Sequence, residues 1–298
     1  MGNLLRPEGI IPVLATAFDA DERIDAKGTR RLIRHVLDAG VHGVVVLGSA
    51  SEFALVTDRE KERLVELAVN EVSGQVPVIV GTGESGTRRA IELTQMAERL
   101  GADAAIVVPP YYYLLDQGAV IRHYRALLRE TGLPLLLYNI PEYTKAALTV
   151  ETVQALSEET KIVGIKDASA DLQYFQKVLM GARSQSFGVI QGVDALLVPS
   201  LILGADGSIS PAANVAPQWF VQAWGAIHEG DQARAMALHP KIVRLNGALS
   251  SGGTLPAGLK GALSLMGICS SVVAAPYEPL VEEEMKRLAA ALEEMDLL

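Results

Sequence analysis

Short β-branched runs alternate with longer amphipathic ones from Ile10 to about Ile227, and the alternation repeats eight times at intervals of roughly 25 to 30 residues. Strands are expected at 10–15, 43–47, 77–81, 104–108, 134–138, 162–166, 186–191 and 207–210. Helices are expected between them at 26–39, 58–73, 87–100, 118–130, 149–157, 171–182, 194–203 and 217–229. Asp25, Thr57, Thr149 and Asp194 stand where N-caps belong, since their side chains can accept from backbone N–H groups that a first helical turn leaves unpaired. Strands that are apolar along their whole length bury both faces, which makes the sheet parallel. Eight βα units favour closure into a TIM (β/α)8 barrel; an open doubly wound sheet is the alternative. After Gly230 only helical patterns remain, at 231–245, 255–266 and 278–294, with Ser250-Ser251-Gly252-Gly253 as a turn. The expected organisation is therefore a barrel over 1–229 and a small C-terminal helical domain over 230–298.

A hydrophobic content of 49% with only 5% aromatic residues supplies the aliphatic core such a barrel needs. The net charge of -9, with no block of consecutive Lys or Arg, argues against nucleic acid and points to small-molecule partners. No uncharged apolar run reaches the length of a membrane span, and Met1 to Glu8 holds no apolar core of signal-peptide length, so the cytoplasm is the expected compartment. The single cysteine, Cys269, allows neither an internal disulfide nor a cysteine-based zinc site and reads as reduced core. His35, His42, His123, His228 and His239 have no ligand-like pairing, and Asp19, Asp21 and Asp25 lack the glycine and closing glutamate of a calcium loop. No metal is expected.

In a barrel of this kind, function gathers at the C-terminal ends of the strands. Strand six, within Lys161-Ile162-Val163-Gly164-Ile165-Lys166-Asp167-Ala168-Ser169, delivers a lysine to that end. An ammonium held against apolar walls loses solvation, its pKa falling by up to ~3 to 5 units on full burial, and the neutral amine can attack a carbonyl. Strand two ends in Gly48-Ser49-Ala50-Ser51-Glu52, strand four in Pro109-Pro110-Tyr111-Tyr112-Tyr113, and strand five in Tyr138-Asn139-Ile140-Pro141. An amine, phenols and a small-residue loop are the parts a Schiff-base enzyme needs: a nucleophile, a proton shuttle and donors for a carboxylate. The plainer alternatives are a lysine that merely leaves its strand, a rim phenol at Tyr138, a turn residue at Ser49, and an interface patch at Tyr111 and Tyr113.

Gly48-Ser49-x-x-Glu52, Pro110-Tyr111-Tyr112, Tyr138-Asn139-Ile140-Pro141, Gly164-Ile165-Lys166-Asp167, Gly192-x-Asp194 and Ile209-Ser210 with Asn214-Val215 occur in that order. Together they resemble the pyruvate-dependent class I lyase family that includes dihydrodipicolinate synthase and N-acetylneuraminate lyase, over nearly the whole chain. The resemblance implies an imine between Lys166 and pyruvate or another 2-keto acid, Tyr138 as acid/base, and Ser49 orienting Tyr138. It implies that the Ser49 and Ala50 N–H groups hold the keto-acid carboxylate, and that Tyr143, Gly192, Asp194 and Ile209 also contact substrate. Tyr112 resembles a tyrosine that completes a proton relay in a neighbouring subunit, which implies a homodimer or homotetramer. No cofactor is implied, because the lysine supplies the electron sink. The implied reaction joins the keto acid to an aldehyde or releases it from one.

Departures from the pattern bear on substrate. Dihydrodipicolinate synthases carry an arginine where this chain has Tyr143, and sialate-cleaving members carry a hydroxyl and an acid where it has Ala168 and Ala195. With Ala50 and Pro211 also near the expected pocket, a less polar acceptor subsite is expected; Lys145 could supply a nearby cation but offers no bidentate fork. Dihydrodipicolinate synthase proper, dehydration of a 2-keto-3-deoxy sugar acid on the same imine, and a non-catalytic keto-acid-binding paralogue are the alternatives. Gly81-Thr82-Gly83-Glu84-Ser85-Gly86 matches a dinucleotide fingerprint by letter, but Asp103 precedes the next strand instead of ending it, which argues against a nicotinamide oxidoreductase.

Overall fold

A computed structural model describes residues 5–298, so Met1 to Leu4, half of the N-terminal segment considered above, lie outside the described residues. Eight strands, β1 (Gly9–Pro12), β2 (Val44–Val46), β3 (Val78–Gly81), β4 (Ala104–Val107), β5 (Leu135–Asn139), β6 (Ile162–Asp167), β7 (Gly188–Gln191) and β8 (Gly207–Ser210), form one sheet in the order β1-β8-β7-β6-β5-β4-β3-β2. Every pairing is parallel. Beyond Pro12 the chain passes from β8 to β2: Val13 N donates to Ser210 O, Leu14 N donates to Val45 O, and Val13 bridges Val45. That crossover closes the barrel, so the TIM-barrel expectation holds and the open sheet does not.

The helices are α1 (Ala26–Asp38), α2 (Asp58–Val72), α3 (Thr87–Arg99), α4 (Gln117–Glu130), α5 (Pro141–Thr144), α6 (Val150–Ser157), α7 (Leu172–Ala182), α8 (Leu197–Ile202), α9 (Pro217–His228), α10 (Gln232–Leu249), α11 (Leu255–Leu265) and α12 (Glu282–Glu293). Each barrel helix turns an apolar stripe inward; in α1 the buried Thr29, Leu32, Ile33 and Val36 follow the i, i+3, i+4, i+7 rule. Burial of one such leucine or isoleucine contributes about 1.5–3 kcal/mol. Among the described residues no helix is long and apolar enough to cross a membrane.

Local chemistry moves several expected boundaries. Asp25 and Thr149 cap as expected, accepting from Lys27 N and Thr152 N, whereas the Thr57 side chain makes no capping bond. Asp194 is not a cap for a helix over 194–203: residues 194–196 form one 3-10 turn, α8 starts at Leu197, and the Asp194 carboxylate accepts from Ala212 N across the barrel end. The turn α5 was not expected; Pro141 at its first position supplies the fixed φ. α12 starts only at Glu282, where the Glu284 side chain accepts from Val281 N. α10 and α11 pack against the turns at 49–51, 194–196 and 212–214, which follow β2, β7 and β8. The C-terminal helices therefore sit over the strand ends where chemistry is expected.

Candidate active site

Register builds the centre of the site. Tyr138 lies opposite Lys166 and Asn139 opposite Asp167 in the β5–β6 pair. Side chains alternate along a strand, so the first pair meets on one face and the second on the other. Lys166 is 4% exposed, and its Nζ stands 4.2 Å from the centroid of the Tyr138 ring. The Tyr138 hydroxyl lies 3.5 Å from Ser49 Oγ, at the outer limit of a hydrogen bond.

Behind this face, Asn139 Nδ2 donates to Asp167 Oδ1 at 2.8 Å, and Asn139 Oδ1 accepts from Leu148 N at 3.0 Å. Ser169 donates to Asp167 through both its backbone N–H and its hydroxyl. Burial pushes the Asp167 carboxyl up to about 6, and these bonds pull against that shift. The network locks the strand residues beside the amine and the phenol. Sequence reasoning missed it, although a buried Asp directly after the lysine demands partners.

Gly192 fixes the third side. Its N–H donates to Asp167 O at 2.7 Å, and a Cβ there would stand 2.8 Å from both Lys166 Cε and that carbonyl oxygen. Any side chain at Gly192 would collide with the lysine arm. Asp194 is buried beyond it; burial pushes its carboxyl up to about 6, while bonds from Ser210 and Ala212 and the charge of Lys166 act in the opposite direction.

The loop after β2 makes one 3-10 turn over Ser49–Ser51, and at its start the Ser49 and Ala50 N–H groups have no acceptor within the turn. Ser51 braces the loop from within: its Oγ accepts from Gly48 N and donates to Leu14 O at 2.6 Å. Glu52 closes the turn in the left-handed region, at φ 58°, and points away into the core. There Glu52 Oε1 meets Lys260 Nζ of α11 at 2.5 Å, both side chains fully buried, and Oε2 accepts from Ala274 N at 2.7 Å. Lys260 also donates to Val272 O and lies over the Phe18 ring. Burial lowers the Lys260 pKa and Glu52 raises it. This ion pair ties the loop to the C-terminal helices. A lone cation in the apolar pattern of α11 was the sequence signal for it.

Ser49, Ala50, Tyr138, Tyr143, Lys166, Gly192 and Asp194 all line one cavity of about 250 Å³, so seven of the sequence-derived site residues converge. Ala168 and Pro211 line it too, while Ala195 does not. Ile209 is fully buried within β8 and is absent from the wall, and Tyr112, 85% exposed at φ 79°, points away from the cavity into solvent. Val13, Ile140 and Val193 add apolar surface to the wall, and Glu142, Asn246, Leu255, Pro256 and Tyr277 also line it. Glu142, Asn246, Leu255, Pro256 and Tyr277 were not anticipated, because α5, α10, α11 and the segment before α12 bring them in from outside the strand ends.

The dinucleotide fingerprint has a packing explanation. A Cβ on Gly81 would stand 1.9 Å from Leu47 O, and one on Gly83 would stand 2.4 Å from Val108 Cγ2. Thr82 Oγ1 bonds Thr94 Oγ1 at 2.8 Å, and Glu84 accepts from the Tyr111 hydroxyl and pairs with Lys61. The glycines let β2, β3 and β4 approach. Among the described residues no three His, Cys, Asp or Glu side chains group as metal ligands.

Comparison with known proteins matches residues 6–295 to the dihydrodipicolinate synthetase family. An uncharacterized DapA-like lyase of Halobacterium salinarum is 39% identical over 297 residues, covering 100% of this chain and 97% of the relative. A 4-hydroxy-tetrahydrodipicolinate synthase of Methanopyrus kandleri is 39% identical over 293 residues, covering 98% and 97%. Among solved structures, YagE, a prophage protein of the dihydrodipicolinic acid synthase family from E. coli K12 in complex with pyruvate, superposes with a TM-score of 0.94 at 33% identity, covering 98% of this chain and 99% of that one.

Proposed function

The chain belongs to the dihydrodipicolinate synthetase family and is a lyase of that family, and on that premise we propose that it works through an imine between Lys166 and pyruvate or a related 2-keto acid. The observation that carries the reading is the buried Lys166 amine over the Tyr138 ring, within one cavity that also holds Ser49. The neutral amine adds to the keto carbon; Tyr138 hands a proton to the carbonyl oxygen, water leaves, and an iminium forms. Tyr138, having given up its proton, takes one from the neighbouring carbon, which leaves an enamine. That carbon bonds to the carbonyl carbon of an aldehyde, whose oxygen takes a proton through Tyr138, and water then releases the product and Lys166. Cleavage is the same sequence reversed.

The Ser49 and Ala50 N–H groups hold the keto-acid carboxylate, and Ser49 Oγ orients the Tyr138 hydroxyl. Gly192 leaves room for the lysine arm, Asp194 and Tyr143 shape the pocket, and Ile209 supports it from within β8. The iminium is the electron sink, so no further cofactor takes part. Tyr112 completes the proton relay in a second copy of the chain, as a dimer or tetramer. Its support is the exposed run Tyr112, Tyr113 and Leu114 and the left-handed backbone at Tyr112, a conformation that costs about 1–3 kcal/mol and recurs at functional positions. Residues 230–298 act as a helical unit over the site, and the buried thiol of Cys269 suits a reducing cytoplasm.

Incubation with pyruvate and borohydride followed by intact-mass spectrometry tests the reading. A reduced pyruvyl adduct is expected on the wild type and none on Lys166→Ala. No adduct with pyruvate or with longer 2-keto acids would refute it. An adduct without turnover on any aldehyde would favour the non-catalytic paralogue.

A further inference from the structure

The cavity that holds Lys166 has an acceptor end, and its charge inventory is short. Lys166 is the only cation on the wall among the described residues; Glu142 stands at the rim and Asp194 lies buried behind. An adjoining cavity shares Ser49, Ile140, Tyr143 and Tyr277 and continues over Phe53, Leu55, Val108 and Tyr111. It adds no cation; its one charged residue, Glu52, is already paired with Lys260. Lys145, the nearest substitute for an arginine, turns away: its Nζ donates to Glu142 O at 2.6 Å and it lines neither cavity.

Once a 2-keto acid is bound, the iminium charge on Lys166 is balanced by the substrate's own carboxylate. A second carboxylate on the incoming aldehyde would meet Glu142 and no counter-ion. A cationic aldehyde could face Glu142 only at the exposed rim, while Val13, Ile140, Leu255, Pro256 and the Tyr143 and Tyr277 rings would strip its water without a fork to replace it. Resting on the imine reading above, the geometry points to an uncharged aldehyde as the second substrate, with Glu142 as the residue that rejects carboxylate-bearing ones.

The test uses the full-length enzyme at saturating pyruvate with three aldehydes of similar shape: 4-methylpentanal, succinic semialdehyde and 4-trimethylammoniobutanal. Borohydride trapping of pyruvate on the same preparation comes first, so that failure of the imine is seen apart from failure of the charge argument. The neutral aldehyde should exceed each charged one in kcat/KM by about tenfold or more, the scale of one partly solvated charge interaction. Glu142→Gln should raise kcat/KM for succinic semialdehyde about threefold or more, through KM rather than kcat, in keeping with a screened charge at a rim. Equal or better use of either charged aldehyde overturns the inference. So does condensation with none of the three on enzyme that traps pyruvate, and so does a Glu142→Gln variant whose preference is unchanged.

Discussion

Lys260→Met is the most informative single change outside the proposed catalytic residues. It removes the cation 2.5 Å from Glu52 and leaves that carboxylate fully buried with the Ala274 N–H as its partner. The gross attraction at that distance is about 7 kcal/mol at an effective dielectric of about 20, most of it offset by desolvation. Breaking such a pair on one side costs about 3–5 kcal/mol, because the remaining charge is uncompensated. For a chain of this size, with an unfolding entropy of about 2.1 cal/mol/K per residue, that corresponds to a fall in Tm of roughly 5 to 8 °C. Urea unfolding followed by circular dichroism measures it, together with Glu52→Gln and the double variant Glu52→Gln/Lys260→Met. The double variant should lose less than the two single losses summed, since it leaves no orphaned charge. A Lys260→Met protein within about 0.5 kcal/mol of wild type, the scatter of ordinary surface changes, would refute the reasoning. Additive losses in the double variant would refute it as well.

Tyr138→Phe should lower kcat by about 10²- to 10⁴-fold, the range for a positioned acid/base, and Ser49→Ala by only about 2- to 10-fold, since one long hydrogen bond is lost. Steady-state turnover with pyruvate and a neutral aldehyde reads both, and an equal loss in the two variants would reverse the roles. Gly192→Ala should abolish borohydride trapping and cost about 1–3 kcal/mol, because the carbonyl oxygen of Asp167 cannot yield; a fully active, wild-type-stable variant would disprove the close approach. Burial raises Asp167 from 3.8 to about 6, so between those pH values the folded protein holds a proton that the unfolded chain has released. Stability therefore declines as pH rises through that window and levels off above it, by at most about 3 kcal/mol from this group. Asp167→Asn should make the slope of urea midpoints from pH 4 to 7 shallower, and an unchanged slope would count against the shift.

The barrel was legible because its strands are two-faced apolar runs such as Leu135-Leu136-Leu137, repeated eight times with an amphipathic segment after each. Lys166, Tyr138 and Ser49 were legible because strand ends are where a barrel presents side chains, and register alone then sets amine against phenol. What escaped depended on segments far apart in the chain. Nothing local to Glu52 names Lys260 as its partner, and nothing local to Asn246 or Pro256 says that α10 and α11 come to rest over the turns after β2, β7 and β8. Asp194 was misassigned as a helix cap because a carboxylate before an apolar run looks the same whether it accepts from its own helix or from Ala212 across the barrel. The placing of Ile209 on the substrate wall followed motif order, whereas the side chain is fully buried within β8 and lines neither cavity.

The cavity wall comes from two sources. The residues proposed to handle the keto acid sit on the strand ends and the β2 loop, where backbone pairing, Gly192 and the Asn139–Asp167 bond leave almost no freedom to vary. Glu142, Tyr143, Asn246, Leu255, Pro256 and Tyr277 reach the wall from α5 and the C-terminal region, which the barrel's own hydrogen bonding does not constrain. A molecule partitioned this way is modular. Its reactive half can be inherited unchanged while its recognition half is rewritten, so transplanting those few wall positions between relatives should exchange their second substrates and keep a common chemical step.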